Sequence, residues 1–227
     1  MNAQQLAARI DHTLLKPEVT ATDIVRLCQE AREYGFATVC VNPTRVSLAR
    51  QELEGSTVSV CSVVGFPLGA NISATKARET ELAILDGAVE IDMVLNIGLL
   101  KDGSKDAAAK DVAEVRRRAE GLVLKVIIEA AILTDTEIEA ASRICVDAGA
   151  DFVKTSTGFN QAGGATVEQV RRIRSVIGDH AHIKAAGGIR TLADALALIA
   201  AGADRLGASA GISILSELDV EVASPSQ

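Results

Sequence analysis

The chain has 227 residues, of which 48% are hydrophobic, and it carries a formal net charge of −7. This acidic balance argues against a nucleic acid or an anionic membrane as the main partner, because both require a basic surface. The length suits one large domain or two small ones.

Aromatic residues make up only 2% of the chain. The core must therefore consist of alanine, valine, isoleucine and leucine, which is typical of parallel sheets covered by helices. No stretch approaches the ~20 apolar residues of a membrane span. The four cysteines are far apart and form no CxxC motif, as is usual for reduced thiols. We expect a soluble, cytoplasmic protein.

Short apolar, β-branched runs alternate with helical patterns along the whole chain. The runs predict strands at residues 10–15, 38–41, 58–64, 90–97, 122–128, 152–157, 182–186 and 205–209. A short helix precedes the first strand, and the helical patterns lie at 20–34, 44–53, 73–85, 101–119, 134–148, 166–177, 191–200 and briefly after Gly211. Ser73 and Thr134 are candidate N-caps, since hydroxyl residues favour that position.

About eight strands, each followed by a helix, indicate parallel strands with right-handed crossovers. Eight such units in roughly 220 residues fit a (β/α)8 TIM barrel near its lower size limit. The alternative is an open doubly wound sheet, but no GxGxxG motif follows the first strand. The prediction is one barrel domain over residues 1–220, with a short N-terminal helix and a flexible tail at 221–227.

The active site of such a barrel lies at the carboxyl ends of the strands. The sixth strand is the most informative, because the sequence FVKTSTGF places Lys154 where another apolar residue is expected, directly before hydroxyls and a glycine. Other polar residues stand in or just after predicted strands. They are Asp11, His12, Cys40, Asn42, Asp92, Asn96, Lys125, Glu129, Lys184 and Ser209.

A lone lysine at a strand end could simply extend to water or pair with a carboxylate. Two lysines beside one aspartate are different, because two ammonium groups a few ångströms apart are costly to keep charged together. One of Lys154 and Lys184 would then be a neutral nucleophile toward carbonyls. Asp92 could hold the charged partner and pass protons.

The sequence HIKAAGGIR provides a candidate phosphate site. Gly187 and Gly188 lead from the seventh strand into a helix, and backbone N–H groups at such a position bind phosphate. The loops after strands seven and eight are the usual phosphate site of these barrels, and the eighth unit supplies Ser209. The three histidines have no metal-ligand spacing, so no catalytic metal is expected, and His12 and Cys40 are more typical of packing residues.

The chain resembles the deoxyribose-phosphate aldolase family of class I aldolases over nearly its whole length. The resemblance rests on motifs in a fixed order, of which KTSTGF and KAAGGIR are the most specific. The others are IDHTLLKP, TVCVNP, VVGFPLG, EIDMVLNIG, LKVIIE and RLGASAG.

The resemblance implies a (β/α)8 barrel and reversible cleavage of 2-deoxy-D-ribose 5-phosphate into D-glyceraldehyde 3-phosphate and acetaldehyde, in deoxyribonucleotide catabolism, with no cofactor. Lys154 would form the Schiff base, Lys184 would perturb it and relay protons, and Asp92 would donate and accept protons. The remaining candidates are Thr155, Gly158, Gly187, Gly188 and Ser209 for substrate and phosphate, and Asp11, Cys40 and Lys125 as further pocket residues. A homodimer is a further expectation.

Two features depart from the family pattern. Many members read GTSSG where this chain has GASAG, so Ala210 removes one hydroxyl that could contact the phosphate. Some members end in a tyrosine that reaches the site, whereas the one tyrosine here is Tyr34. Two alternatives therefore remain at this point, a Schiff-base aldolase or transaldolase for another sugar phosphate, and a non-catalytic barrel that binds a phosphorylated ligand.

Overall fold

A computed structural model describes residues 1–223 of the chain. Its eight strands pair in parallel, each with its neighbours in sequence, and β8 closes the barrel against β1. The predicted (β/α)8 barrel is therefore confirmed. The strands are β1 (Ile10–Leu14), β2 (Thr38–Val41), β3 (Ser59–Val64), β4 (Glu90–Val94), β5 (Val123–Ile127), β6 (Phe152–Lys154), β7 (His182–Ala186) and β8 (Arg205–Ala208).

Helices connect the strands and cover the outside of the barrel. Two short 3-10 turns, Pro43–Arg45 and Ala130–Ile132, follow β2 and β5. No helix in the described part of the chain is long and apolar enough to cross a membrane. The helices are α1 (Ala3–Ala7), α2 (Ala21–Tyr34), α3 (Val46–Glu52), α4 (Ser73–Leu85), α5 (Ile97–Lys101), α6 (Lys105–Arg118), α7 (Asp135–Asp147), α8 (Val167–Ile177), α9 (Leu192–Ala200) and α10 (Gly211–Ala223).

Some boundaries differ from the prediction for local reasons. The strand predicted to reach residue 97 ends at Val94, because Asn96 accepts a hydrogen bond from the Leu99 N–H and starts α5. The helix predicted at 101–119 begins later, at Lys105, because Lys101 ends α5 and a turn at Gly103, where φ is +76°, separates the two helices. The sixth strand ends at Lys154, three residues earlier than predicted.

One predicted cap is confirmed and one is wrong. Thr134 accepts a hydrogen bond from the Glu137 N–H and forms a capping box at the start of α7. Ser73 lies inside α4, with no side-chain cap before it, and its hydroxyl donates to Asp111 at 2.8 Å. The predicted boundary at residue 220 falls inside α10, and residues 224–227 of the predicted tail lie outside the described residues.

The strands divide their side chains between two environments, since successive residues of a strand point to opposite faces. Ile91 and Met93 of β4 belong to the main apolar core, which lies between barrel and helices. Asp92, between them, points into the barrel and is fully buried. The inside of the barrel is therefore polar at the level where the side chains of β4, β5, β6 and β7 meet.

Candidate active site

Asp92 lies at the centre of a buried cluster of charges inside the barrel. Its Oδ2 atom accepts hydrogen bonds from Lys154 Nζ and Lys184 Nζ, each at 2.7 Å, and its Oδ1 atom accepts one from Lys125 Nζ at 2.8 Å. The strand register explains why these side chains lie together. Asp92 of β4 pairs with Lys125 of β5, and Lys154 of β6 pairs with Lys184 of β7. Three neighbouring strands thus direct their lysines to one carboxylate.

Asp11 on β1 is a second carboxylate of this cluster. Its Oδ2 atom lies 2.5 Å from Lys184 Nζ, an ionic contact outside hydrogen-bond geometry, and 3.6 Å from Lys125 Nζ. Its Oδ1 atom accepts a hydrogen bond from Arg205 at 2.7 Å. Glu90 completes the set 2.5 Å from Lys125 Nζ. Asp11 therefore ties the barrel lysines to β1 and β8.

The cluster fixes the protonation of two of its members. Burial is the largest influence on the pKa of Asp92 and would raise it, but Lys125, Lys154 and Lys184 together hold this pKa well below its usual range. Burial would likewise lower the pKa of Lys184, yet the carboxylates of Asp11 and Asp92 raise it above its ordinary value. Asp92 is therefore ionised and Lys184 protonated, which favours an electrostatic part for Lys184 over that of a base.

Lys154 differs from the other two lysines in its partners and in its access to solvent space. It contacts one carboxylate, Asp92, whereas Lys184 contacts two and Lys125 contacts three. It also lines a cavity of about 410 Å³ at the carboxyl end of the barrel, which Lys125 and Lys184 do not. Of the three amines, Lys154 is placed to meet a ligand.

The same cavity has a wall of backbone from the loops after β6, β7 and β8. Gly158, Gly187, Gly188 and Ser209 all line it. Gly187 has φ +85°, and a Cβ atom there would lie 2.9 Å from the Cα of Gly164, so the close approach of the two loops requires glycine. The wall is a surface of backbone and hydroxyl groups that lines the same cavity as Lys154.

The other predicted residues lie beneath the cavity, not in its wall. Asp11, Cys40 and Lys125 are buried inside the barrel around Asp92. Thr155 is also buried, and its hydroxyl accepts a hydrogen bond from the Ala186 N–H at 3.0 Å, so it joins the end of β6 to β7. This placement favours a positioning role for Thr155 over direct contact with substrate.

Several residues of the site were not predicted. Glu90 and Arg205 complete the charge cluster, and Cys61 donates a hydrogen bond to Asp92 at 3.1 Å. Glu90 carried a usable signal, since it lies two residues before Asp92 and must share its face of β4. Lys16 and Arg190 line the cavity from loops, where strand periodicity gives no information, and Thr13 lines it from the end of β1.

The closed barrel, with buried amines and carboxylates at the carboxyl ends of its strands, defines an enzyme of the (β/α)8-barrel class. Residues 6–217 match the model of the DeoC/LacD family aldolase. The chain belongs to the DeoC/LacD family of aldolases.

Comparison with individual proteins agrees with this assignment. The chain is 54% identical over 213 residues to the deoxyribose-phosphate aldolase of Staphylococcus carnosus, covering 94% of this chain and 96% of that protein. The crystal structure of a putative deoxyribose-phosphate aldolase from Coccidioides immitis superposes with a TM-score of 0.94 at 43% identity, covering 96% of this chain and 87% of that one.

A third relative, the deoxyribose phosphate aldolase of Aeropyrum pernix, is described as a tetramer. It superposes with a TM-score of 0.90 at 34% identity, covering 96% of this chain and 92% of that one. The family resemblance inferred from the sequence motifs is confirmed by these matches.

Proposed function

We propose that the protein is a class I aldolase that reversibly cleaves 2-deoxy-D-ribose 5-phosphate into D-glyceraldehyde 3-phosphate and acetaldehyde, with Lys154 as the Schiff-base lysine. The observation that carries the assignment of the nucleophile is the position of Lys154, which lines the cavity, whereas Lys125 and Lys184 beside it do not. The substrate is inferred from the relatives, which are named deoxyribose-phosphate aldolases and match nearly the full length of this chain.

The reaction begins with attack of the neutral Lys154 amine on the sugar aldehyde. Loss of water from the resulting carbinolamine gives an iminium, which withdraws electrons from the neighbouring carbons. The bond between C2 and C3 of the sugar then breaks.

Counting carbons fixes this bond, because acetaldehyde contains only C1 and C2 of the sugar. The hydroxyl on C3 loses its proton and becomes the aldehyde of D-glyceraldehyde 3-phosphate. The electrons of the C2–C3 bond move into an enamine held on Lys154. Protonation of C2 regenerates an iminium, and water then hydrolyses it to acetaldehyde and the free amine.

Asp92 and Lys184 lie close enough to Lys154 to assist these reaction steps. Asp92 Oδ2 lies 2.7 Å from both amines, so a proton can pass between Lys154, Asp92 and water over short distances. The iminium keeps a positive charge at Lys154, and the ionised Asp92 stabilises that charge. Lys184 remains protonated and favours the neutral form of its neighbour before attack.

The phosphate group fits the backbone wall of the cavity. Gly187, Gly188 and Ser209 line it, and α10 begins two residues after Ser209. Backbone N–H groups and the positive end of a helix favour an anion at such a place. Lys16 and Arg190 line the same cavity and bring positive charge to it. A phosphate held there would place the aldehyde end of the sugar toward Lys154.

Trapping with borohydride tests the nucleophile. We expect acetaldehyde and sodium borohydride to leave an N-ethyl group on Lys154 and to abolish activity, because reduction makes the Schiff base permanent. Peptide mapping by mass spectrometry locates the adduct. The exposed Lys101→Met variant serves as a control that is trapped like the parent protein, whereas Lys154→Met is not trapped. An adduct only on Lys125 or Lys184 would reassign the nucleophile.

A homodimer in the cytoplasm is part of the same proposal. Apolar side chains of α4 and its surroundings are exposed, among them Ile72, Leu82 and Leu85, and a second copy of the chain would cover such a surface. The tetrameric relative from Aeropyrum pernix supports assembly in this family. The four cysteines are free thiols, which is usual in a reducing compartment.

A further inference from the structure

Two cysteines lie side by side inside the barrel, next to the central aspartate. Cys40 on β2 and Cys61 on β3 are partners in the strand register, and both are fully buried. Their sulfur atoms and a carboxylate oxygen of Asp92 all lie within 4.8 Å of one another. Cys61 donates to Asp92 Oδ1 at 3.1 Å and accepts from Lys125 at 3.4 Å. The proposed aldolase mechanism assigns no chemistry to these two thiols.

The pair has the spacing of a disulfide. Register partners on neighbouring strands lie roughly 4.8 Å apart, within the Cα separation of about 4.4–6.8 Å that disulfides span. A metal ion fits the same three groups less well. Both oxygens of Asp92 already accept hydrogen bonds from lysine ammonium groups, which a cation would have to displace.

The two thiols also differ in reactivity. The hydrogen bond with Cys61 is the largest influence on the pKa of Cys40 and lowers it, and with help from Lys184 and Lys154 it outweighs burial. Burial raises the pKa of Cys61 well above its ordinary value. Cys40 is therefore the thiol that more readily becomes a thiolate, and thiolates are the nucleophiles in cysteine oxidation.

We propose that Cys40 and Cys61 are an oxidation site, at which a hydroperoxide converts the two thiols into a disulfide inside the barrel. The Cys40 thiolate attacks the O–O bond, takes one oxygen as a sulfenic acid and releases water or an alcohol. The Cys61 sulfur then attacks the Cys40 sulfur and releases hydroxide, which takes the Cys61 proton. Two thiols and hydrogen peroxide thus give one disulfide and two waters.

The surroundings of the two cysteines indicate how an oxidant reaches them and what their oxidation changes. Leu15 belongs to the same buried apolar cluster as both cysteines and also lines the cavity, so this cluster reaches the solvent space of the cavity. Disulfide formation removes the Cys61 proton donor from Asp92. We therefore expect oxidation of the two cysteines to lower aldolase activity reversibly, which rests on the proposed aldolase function.

The test treats the folded enzyme with hydrogen peroxide, blocks remaining thiols with an alkylating agent and maps tryptic peptides without reduction. Trypsin places each cysteine in a separate peptide, so the linked pair is unambiguous. The peptides are residues 27–32 for Cys28, 33–45 for Cys40, 51–76 for Cys61 and 144–154 for Cys145. We expect peptides 33–45 and 51–76 to be joined, and dithiothreitol to separate them.

Matched variants complete the test. Cys61→Ser keeps a hydroxyl donor toward Asp92 but cannot form the disulfide, so we expect no linked peptide and at least fivefold less peroxide-dependent, dithiothreitol-reversible loss of activity. Cys145→Ala, in α7 outside the barrel, should behave like the parent protein. Linkage to Cys28 or Cys145, irreversible oxidation of Cys40 alone, or no reaction of either thiol would overturn the proposal. The mapping does not depend on which substrate the enzyme cleaves, so it fails or succeeds separately from the aldolase assignment.

Discussion

The buried charges around Asp92 are unequal in number. Three lysines and Arg205 face three carboxylates, those of Asp11, Glu90 and Asp92. A surplus of one positive charge is costly inside a protein. Of the three lysines, one has a single carboxylate partner and is therefore the most weakly paired. That lysine is Lys154, which gives a physical reason for its proposed reactivity.

Lys184→Leu tests this charge argument. Without the Lys184 ammonium the surplus disappears and Asp92 pairs more strongly with Lys154, which becomes a poorer nucleophile. We expect kcat/KM for 2-deoxy-D-ribose 5-phosphate to fall about 100-fold or more. The pH profile of borohydride trapping with acetaldehyde should move to higher pH, which loss of packing alone would not produce.

Lys184→Arg is the matched control, because it keeps the charge. It should retain more activity than Lys184→Leu and leave the trapping profile near that of the parent protein. Near-normal turnover by a folded Lys184→Leu variant would contradict the paired-lysine mechanism.

For single residues, the reactive side chains could be identified from the sequence, but most of their contacts could not. Lys154, Lys184 and Asp92 stand out because charged residues interrupt apolar strands. Arg205 begins its strand and looks like an ordinary surface residue, and Cys61 looks like any small core residue. Their contacts with Asp11 and Asp92 depend on barrel closure, which brings distant strands together.

The loop after β6 is positioned by one residue with an unusual backbone. Glu129, just after β5, has φ +52°, the one positive φ outside glycine in the part of the chain that is described. Its carboxylate accepts hydrogen bonds from the Thr157 N–H at 3.2 Å and from the Thr157 hydroxyl. Strain of this kind persists where the surroundings enforce it, often at functional sites. Gly158 and Phe159, which follow, line the cavity.

Glu129→Ala should therefore affect binding more than chemistry. Without the carboxylate the loop loses its anchor, while Lys154 keeps its place in β6. We expect KM for the sugar phosphate to rise about tenfold, in line with the loss of a hydrogen bond to a charged group, with a smaller change in kcat. Steady-state kinetics measure both. Glu120→Ala, at an exposed position, is the control, and a fall in kcat with unchanged KM would contradict the positioning role.

Strand ends were the least predictable elements. Apolar residues such as Leu95 and Ile97 continue the pattern of β4, but the side-chain cap from Asn96 turns the chain into α5. Similarly, the hydroxyls after Lys154 are compatible with a strand, and the hydrogen bonds of Thr155 to β7 and Thr157 to Glu129 decide otherwise. Local propensity alone does not contain those partners.

For the whole molecule, the barrel interior is held together by charge as well as by apolar packing. Asp11 contacts side chains from β5, β7 and β8, so it links strands far apart in sequence. The order of the eight βα units was predictable, since each strand pairs with the next and needs no distant information. The full set of contacts in the charged centre was not, because it depends on all of these strands meeting at once.

The pH dependence of stability follows from this centre. Burial would raise the pKa of Asp11, but Lys184, Lys125 and Arg205 hold it far below its ordinary value of 3.8. A lowered carboxyl pKa stabilises the fold fully above 3.8 and progressively less as the pH falls below it. Asp11→Asn should therefore destabilise the protein at pH 7 by about 3 kcal/mol and lower its Tm. The difference in Tm between this variant and the parent protein should become smaller from pH 4 to pH 2.5. Calorimetry measures this difference in Tm, with the exposed Asp102→Asn variant as control. A difference that stays constant across this pH range would show that Asp11 is not held ionised by its partners.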